Sequence, residues 1–414
     1  MTKPKTVCIV VENMSVPTDR RVWREACALR DAGYDVKIVS PKGTGSSCQE
    51  KFEILDGIEI YRHWRYEASS GFGYLLEYAT AFIAELYLTL KLFVRTRFGI
   101  LQACNPPDIT FLIALLLKPF GVRFIFDHHD LSPELFESKF EKSSGLLYWL
   151  TRLAEFCTFK TADACIATNE SFKEIAITRG RKHPDQVFVV RNCPDLASLG
   201  ASVRPSEKKE SGPLTVAYVG FMGKQDGLDL LLEAADHIIN KEHRCDVRFV
   251  LVGRGSELTE MKSWAEAHGL SPWMTFTGQV TYSEVGAYLA QADIGVAPDP
   301  KTAMNDSSTM IKILEYMAFG LPVVLFDLKE GRRIAGSSAL YASRNDPVDF
   351  AEKISTLLNS SEMRRELGNF GRRRIEERLN WDAEKIALLE AYNFAAGSMT
   401  RAGDQPAVDW VTRD

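Results

Sequence analysis

The sequence predicts an α/β protein made of two successive units, each a parallel sheet covered by helices. Three observations predict it. Short β-branched runs alternate with longer segments of helical spacing along most of the chain. The alternation breaks once, in a polar stretch at 199–213 that includes Pro205, Lys208, Lys209, Glu210 and Gly212, which is linker composition. It then restarts with the same rhythm. Each half is of the size of one Rossmann-like domain.

In the first half, 7–11, 36–40, 58–62, 123–126, 164–168 and 187–190 read as strands. Segments 20–32, 72–97, 109–118 and 146–161 read as helices, the first stopped by Gly33. In the second half, strands at 214–218, 247–252, 274–277, 294–297 and 323–326 alternate with helices at 226–239, 257–268, 283–291 and 309–319. Segments 347–358, 361–378 and 381–396 are helical. The domains are therefore 1–198, a linker at 199–213, 214–378, a last helix at 379–396 and a tail at 397–414.

Composition excludes several classes. The 414 residues are 45% hydrophobic and 25% charged, with a net charge of -5, so no basic footprint for nucleic acid exists. Eight cysteines form no CxxC pair. A chain this long needs no disulfide staples, and they read as reduced, cytosolic thiols. Lys3 and Lys5 precede the first strand, but Glu12 and Asn13 end it without a cleavage site, so it does not read as a signal peptide. The longest apolar stretch, 72–98, is interrupted by Glu77, Glu85, Lys91, Arg95 and Arg97. It reads either as a helix buried on the first sheet or as a basic, aromatic-rich surface for anionic lipid. The second alternative makes the protein cytoplasmic and peripheral on the inner face of a membrane.

Ligands of open parallel sheets bind outside the carboxyl ends of the strands, so residues just after strands are the ones to inspect. The richest such segment is 305–324. It reads as a loop, a helix capped by Asp306, Ser307 or Ser308, a stop at Gly320 and a strand. A helix N-terminus suits a diphosphate. Lys312 and Glu315 share one helix face, where they suit a phosphate and a ribose; the alternative is an exposed ion pair on an amphipathic helix. His128, His129 and Asp130 follow an apolar strand, as donors to a sugar or as structural caps. Arg20, Arg21 and Arg24 start a helix, where the dipole disfavours them; an anionic ligand or a local acid such as Asp19 would account for that. No Asp-x-Asp motif is present, so a metal-bridged diphosphate is not indicated.

Several blocks occur in a telling order: 19–26, 126–130, 167–170, 189–192, 251–255, 276–278, 327–333 and 339–341, with Lys312, Glu315–Tyr316–Met317–Ala318, Gly320 and Pro322 after a strand ending at Pro298. Together they resemble glycosyltransferase family 4 of the bacterial surface-polysaccharide or lipid-linked glycan type. The resemblance covers most of the chain. It implies a GT-B fold, with two Rossmann-like domains facing across a cleft and the C-terminal helix packed back on the first. It implies an acceptor domain followed by a donor domain. The reaction would be retaining transfer of a hexose or N-acetylhexosamine from a nucleotide diphosphate sugar, UDP-linked and needing no metal or other cofactor, to a glycan or lipid-linked glycan hydroxyl.

The family's donor site carries over residue by residue. Glu315 matches the ribose-binding glutamate, while Ser307 stands where a first glutamate is usual. Phe221 stands at the usual arginine and Asp226 near the usual lysine. Lys312, Lys224, Arg332 and Arg333 are then the candidate phosphate cations, with Ser307, Ser308, Gly220 and Gly253 around the donor. His129, His128 and Asp130 fall near the reacting carbon, His129 favoured over His128. Asp19, Arg20 and Arg21 fall at the acceptor side. A GT-B epimerase or hydrolase, and a partner protein of the same fold without catalysis, are the competing readings.

Overall fold

The computed structural model describes residues 6–43, 47–64, 71–140, 144–194, 196 and 212–397. The expected linker up to 211 and the tail beyond 397 lie outside them. The chain forms two compact units. One holds the residues up to Arg191 together with the chain from Glu384; the other is Asn192–Ala383.

The first unit contains β1 (Thr6–Val11), α1 (Arg20–Asp31), β2 (Asp35–Pro41), β3 (Phe52–Leu55), β4 (Ile58–His63), α2 (Gly71–Thr96) and β5 (Ile100–Cys104). It continues with α3 (Phe111–Leu117), β6 (Arg123–His128), α4 (Ser132–Phe140), α5 (Leu146–Thr161), β7 (Ala164–Ala167), α6 (Glu170–Thr178) and β8 (Val187–Val189). The strand order is β3-β4-β2-β1-β5-β6-β7-β8. Every pairing is parallel except β3 on β4, at the edge, a common way for a parallel sheet to end. The strand order reverses between β1 and β5.

Strands β5, β6 and β7 are buried on both faces. That explains why β5 escapes a sequence reading: Gln102 interrupts its apolar run, yet it is fully buried and hydrogen-bonded. Helices α2, α3, α5 and α6 cover one face, in a core with Leu101, Ala103, Phe124 and Phe126. Helix α1 lies on the other, where Gln102 donates to Glu25 at 2.8 Å. Asp19 caps α1 by accepting from the Val22 amide.

The second unit contains β9 (Leu214–Val219), α7 (Leu228–Asp236), β10 (Val247–Val252), α8 (Leu258–Ala267), β11 (Met274–Gly278), α9 (Tyr282–Gln291) and β12 (Ile294–Ala297). After these come α10 (Ala303–Ser307), α11 (Ile311–Ala318), β13 (Val323–Phe326), α12 (Lys329–Ala335), β14 (Ala339–Ala342), α13 (Pro347–Asn359) and α14 (Ser361–Glu377). Its strand order is β11-β10-β9-β12-β13-β14, all parallel, and it reverses between β9 and β12. Two apolar cores, one on each face, hold it together.

The last helix, α15 (Trp381–Ala395), packs in the first unit. Tyr392 hydrogen-bonds Gln102 and stands edge-on to Tyr34 at 5.6 Å, while Glu384 accepts from the Arg191 amide at 2.8 Å. Among the described residues no helix is long and apolar enough to cross a membrane.

One local expectation is corrected. The helix expected at 309–319 is α11, and a separate short helix, α10, precedes it where a loop was expected. Thr302 caps the short α10, accepting from Asn305 N. Asp306, Ser307 and Ser308 therefore do not cap the helix that carries Lys312. The N-cap of α11 is Met310, which makes no side-chain cap hydrogen bond. Ser308 instead donates back to Met304 O at 2.8 Å.

Candidate functional site

In the second unit, the reversal between β9 and β12 leaves a crevice beyond their carboxyl ends, the usual ligand position in such sheets. Glycines let the loops there close on one another. Gly253, just after β10, has φ +143°, and a Cβ on it would lie 1.9 Å from Gly220 O. Gly227 has φ +67°, and its Cβ would meet Pro298 O at 2.1 Å. Any side chain at either position would push the loops apart. Asn305 ties the same loops together by donating to Gln225 O and Pro300 O.

Into this crevice α11 delivers Lys312, which is buried rather than paired on the surface. Its Nζ donates to both Asp299 oxygens, at 2.8 and 3.1 Å, and lies 4.0 Å from Asp226. It also sits 4.7 Å over the Tyr218 ring, a cation–π arrangement. Burial and the neighbouring Asp299 charge push the Asp226 carboxyl up, against the pull of Lys312. Glu315, one turn further along α11, is also buried.

The other expected donor residues are spread around this centre. Gly220 follows β9, and a Cβ there would meet the Tyr218 hydroxyl and the Lys312 stem. Ser307 and Ser308 are half-buried at the end of α10. Lys224 is exposed on the turn before Gly227. Arg332 is exposed, bonded to Asp327 at 2.8 Å and stacked 4.0 Å over Tyr341. Arg333 pairs with Glu330 at 2.7 Å.

In the first unit, β6 runs to its end beside the reversal between β1 and β5. Its pleat sends Asp127 and His129 toward α1, and Phe126 and His128 toward α5 and α6. His128 is not positioned to touch a sugar: it is 1% exposed and packed against Phe126, Phe159 and Phe172 at 5.2, 5.1 and 4.9 Å. Burial, with Arg179 and His129, pushes its pKa down to about 3, so it is a neutral core residue.

His129 differs. Its Nε2 lies 2.8 Å from Asp127 Oδ2, and the side chain is 14% exposed. Burial disfavours its charge, but Asp127 outweighs burial and raises its pKa. Burial works against Asp127 too; Arg21 and then His129 outweigh it and hold this carboxylate well below the usual range. Asp127 therefore orients the imidazole. Asp130 is exposed, and its backbone is clamped by Asn105, which also accepts from His129 N at 2.6 Å.

Arg21 supplies the other half of the network and is 6% exposed. Nη2 donates to Asp127 at 3.0 Å and Nη1 to Val190 O at 2.8 Å. Its Nε is 3.1 Å from both His129 Nε2 and Glu25 Oε1. Nε donates to His129 Nε2, which also faces Asp127, and stands only at ion-pair distance from Glu25. The arginine at this helix start is thus balanced by the buried Asp127, not by an anion from solution. Arg20 is exposed, and Asp19 is the helix cap.

Cys104, Asp127 and His129 present ligand atoms within 4.8 Å of one another. Their chemistry fits hydrogen bonding better than a metal. Burial, then the Asp127 charge, pushes the Cys104 thiol up, and Asp127 already serves Arg21, His129 and Gln102.

Sequence reasoning missed Asp127, Glu25, Asp299 and Tyr218. Asp299 had a usable signal, a charge two residues beyond β12. Asp127 and Glu25 sit inside elements and look like ordinary strand and helix residues.

Two family models match the chain, a glycosyl transferase 4-like domain over residues 18–193 and glycosyl transferases group 1 over residues 213–360. Phosphatidyl-myo-inositol mannosyltransferase of Mycobacterium leprae is 29% identical over 43% of this chain; the chain spans about half of that relative's length, 46%. Spore coat protein SA of Bacillus subtilis is 24% identical over 94% of this chain and 99% of its own. The structure of HepE from Anabaena in complex with UDP and glucose superposes with a TM-score of 0.66 at 14% identity, over 93% of this chain and 99% of HepE. Matched in order by both family models, and built on two parallel Rossmann-like sheets, the chain belongs to glycosyltransferase family 4 and has the GT-B type of fold.

Proposed function

We propose that the protein is a retaining, metal-independent glycosyltransferase of polysaccharide biosynthesis. It moves a hexose or N-acetylhexosamine from a UDP-sugar to a hydroxyl of a glycan or lipid-linked glycan. The observation that carries this reading is Lys312, a buried cation at the strand reversal of the second unit, ringed by glycine loops and followed by Glu315. HepE, solved with UDP and glucose, has the same type of fold. Eight free thiols fit a reducing, cytoplasmic compartment.

In this reading the second unit holds the donor. The uncapped start of α11 and Lys312 take the diphosphate, with Lys224 reaching in from its turn. Glu315 takes the ribose hydroxyls. The first unit takes the acceptor, and His129, held by Asp127, donates a hydrogen bond to the reacting sugar. The bond from the sugar carbon to phosphate breaks as the acceptor oxygen bonds on the same face. The acceptor proton passes to the departing phosphate, so no protein nucleophile is required, and Ser307 in place of a glutamate is compatible with turnover. Preorganised donors aimed at the leaving group are worth about 3 kcal/mol each.

Calorimetry with UDP tests the donor site. Glu315→Ala is expected to weaken binding at least about tenfold, roughly 1.4 kcal/mol. Unchanged affinity in that variant removes Glu315 from the site. One observation favours a second reading, a family member without catalysis: Asp226 and Asp299 both face Lys312 where phosphates would lie. Failure of the wild-type protein to bind any nucleoside diphosphate would select it.

A further inference from the structure

At the amino-terminal ends of the first sheet lies a cavity that neither candidate site uses. Its volume is about 440 Å³, within the roughly 300–1,000 Å³ usual for a small-molecule site. Arg123 opens β6, Asp163 stands just before β7, and Lys160 lies in the last turn of α5. Arg181 and Lys182 follow α6, and Phe394 comes from α15. Asp127 and His129 sit at the other end of β6, roughly 17 Å along the strand. The cavity is therefore remote from the carboxyl ends, where ligands of parallel sheets usually bind.

Its charge is one-sided: four bases face one acid among the described lining residues. That acid, Asp163, is already committed. It accepts from Lys118 and from the Phe124 amide, both at 2.8 Å, and meets Arg123 at 3.5 Å. Lys182 is only 8% exposed, and its Nζ donates to the Ala162 carbonyl at 2.7 Å, with no carboxylate among the described residues at ion-pair distance. Taking an ammonium out of water costs free energy unless an anion compensates. Burial accordingly holds the Lys182 pKa below the ordinary lysine value, against Cys165 and Asp163. The turn that carries Lys182 is fixed by packing. A Cβ on Gly180 would lie 2.5 Å from the Phe159 ring. Arg181 has φ +53°, a left-handed conformation that non-glycine residues rarely take and that ligand clamps use. The Arg181 and Lys160 side chains both lean on the Phe156 ring, at 5.9 and 5.8 Å, so two like charges share one ring. Gathering cations in this way costs repulsion that a multivalent anion relieves.

We propose that this cavity binds a soluble, multivalent phosphate anion, with the buried Lys182 beneath it and the exposed Arg123, Lys160 and Arg181 around it. Guanidinium forks take phosphate oxygens in pairs, and a lysine ammonium takes them as a point charge. A free anion can enter far enough to reach Lys182, which a headgroup held in a bilayer plane cannot do as readily. The site needs neither the donor nor the acceptor of the proposed transfer.

Calorimetry of the full chain with inorganic tripolyphosphate tests it. The wild-type protein should bind saturably, and more weakly as salt rises. Lys182→Met keeps the stem and removes the charge; combined with Arg181→Gln it should weaken binding at least about tenfold. Lys160→Gln should weaken it several-fold. The same binding event should persist in Lys312→Met, which removes any contribution from the crevice of the second unit. Arg248→Gln, an exposed base on β10, should change the affinity less than about twofold. Thermal melts confirm that each variant folds, and tripolyphosphate should raise the melting midpoint of the wild type and not of the Lys182/Arg181 variant. The proposal is overturned if the wild type does not bind, if the Lys182/Arg181 variant binds like wild type, or if the event disappears in Lys312→Met. Equal weakening by Arg248→Gln would mean diffuse charge and overturns it too. So does Lys182-dependent binding to phosphatidylglycerol vesicles by a protein that ignores tripolyphosphate.

Discussion

The two strand reversals place a cation among carboxylates in each unit, and they use it differently. In the first unit the three donor nitrogens of Arg21 are all engaged inside the protein, by Val190 O, Asp127 and His129. In the second unit Lys312 has Asp299 at bonding distance, an aromatic ring beneath it and glycine loops around it. An arginine fork committed on every side is a fixed strut, whereas a lysine ammonium on a flexible stem can turn toward a ligand. Arg21 therefore belongs to the architecture and acts through Asp127 and His129, while Lys312 remains available to a phosphate.

The largest expected effect breaks this comparison if it fails. Asp127→Ala leaves Arg21 buried without its main counter-charge, a change that costs about 3–5 kcal/mol. Urea denaturation should show that loss. Asp299→Ala, beside the less enclosed Lys312, should cost clearly less. Equal losses would mean that Lys312 is as structural as Arg21.

His129 comes next. As the most exposed member of the first network, it should influence turnover and not donor affinity. His129→Ala is expected to lower the transfer rate by about a hundredfold or more while UDP affinity stays within twofold of wild type (~0.4 kcal/mol). A matching fall in UDP affinity would move His129 into the donor site; wild-type turnover would remove it from the mechanism.

These contrasts also explain what the sequence could and could not reveal. The two-unit fold was legible because strands buried on both faces are continuous apolar runs, and Lys312 and Glu315 were legible because they begin a helix after a strand. The choice between His128 and His129 was not. A strand buried on both sides has no polar face, so nothing in Phe124–His129 fixes the pleat; only packing against Phe159 and Phe172 sends His128 inward. The acids around both cations were hidden for a related reason. Glu25 looks like any helical glutamate until Gln102 and Arg21, far away in sequence, close around it.

A smaller effect sharpens the description of the first network. Burial, and then Asp127, push the Glu25 carboxyl up to about 8. Between its unfolded value of about 4.3 and that point, only the native state holds the proton. The associated stability is complete below the window and is lost as pH rises through it. Glu155 and Asp108, each pushed up to about 7 chiefly by burial, act in the same direction. Thermal melts from pH 5 to 9, a range that spans about the whole titration, should show stability falling. Glu25→Gln should flatten the decline by up to about 1.4 kcal/mol per pH unit. A slope identical to wild type would mean Glu25 is ionised throughout.

The smallest effect falls on the second unit. Lys312 carries one positive charge against two carboxylates, Asp299 at 2.8 Å and Asp226 at 4.0 Å. A diphosphate entering there gains from the lysine and loses to both acids. Asp226 is the less tightly held of the two and contacts Lys312 only at long range. Removing its charge while keeping its shape should therefore relieve repulsion without loosening the lysine. Asp226→Asn is expected to tighten UDP binding about threefold, close to 0.7 kcal/mol, and calorimetry at low salt would resolve it. Weaker binding in this variant would instead make Asp226 a hydrogen-bond acceptor for the nucleotide or sugar, and would leave the helix start of α11 as the main diphosphate site.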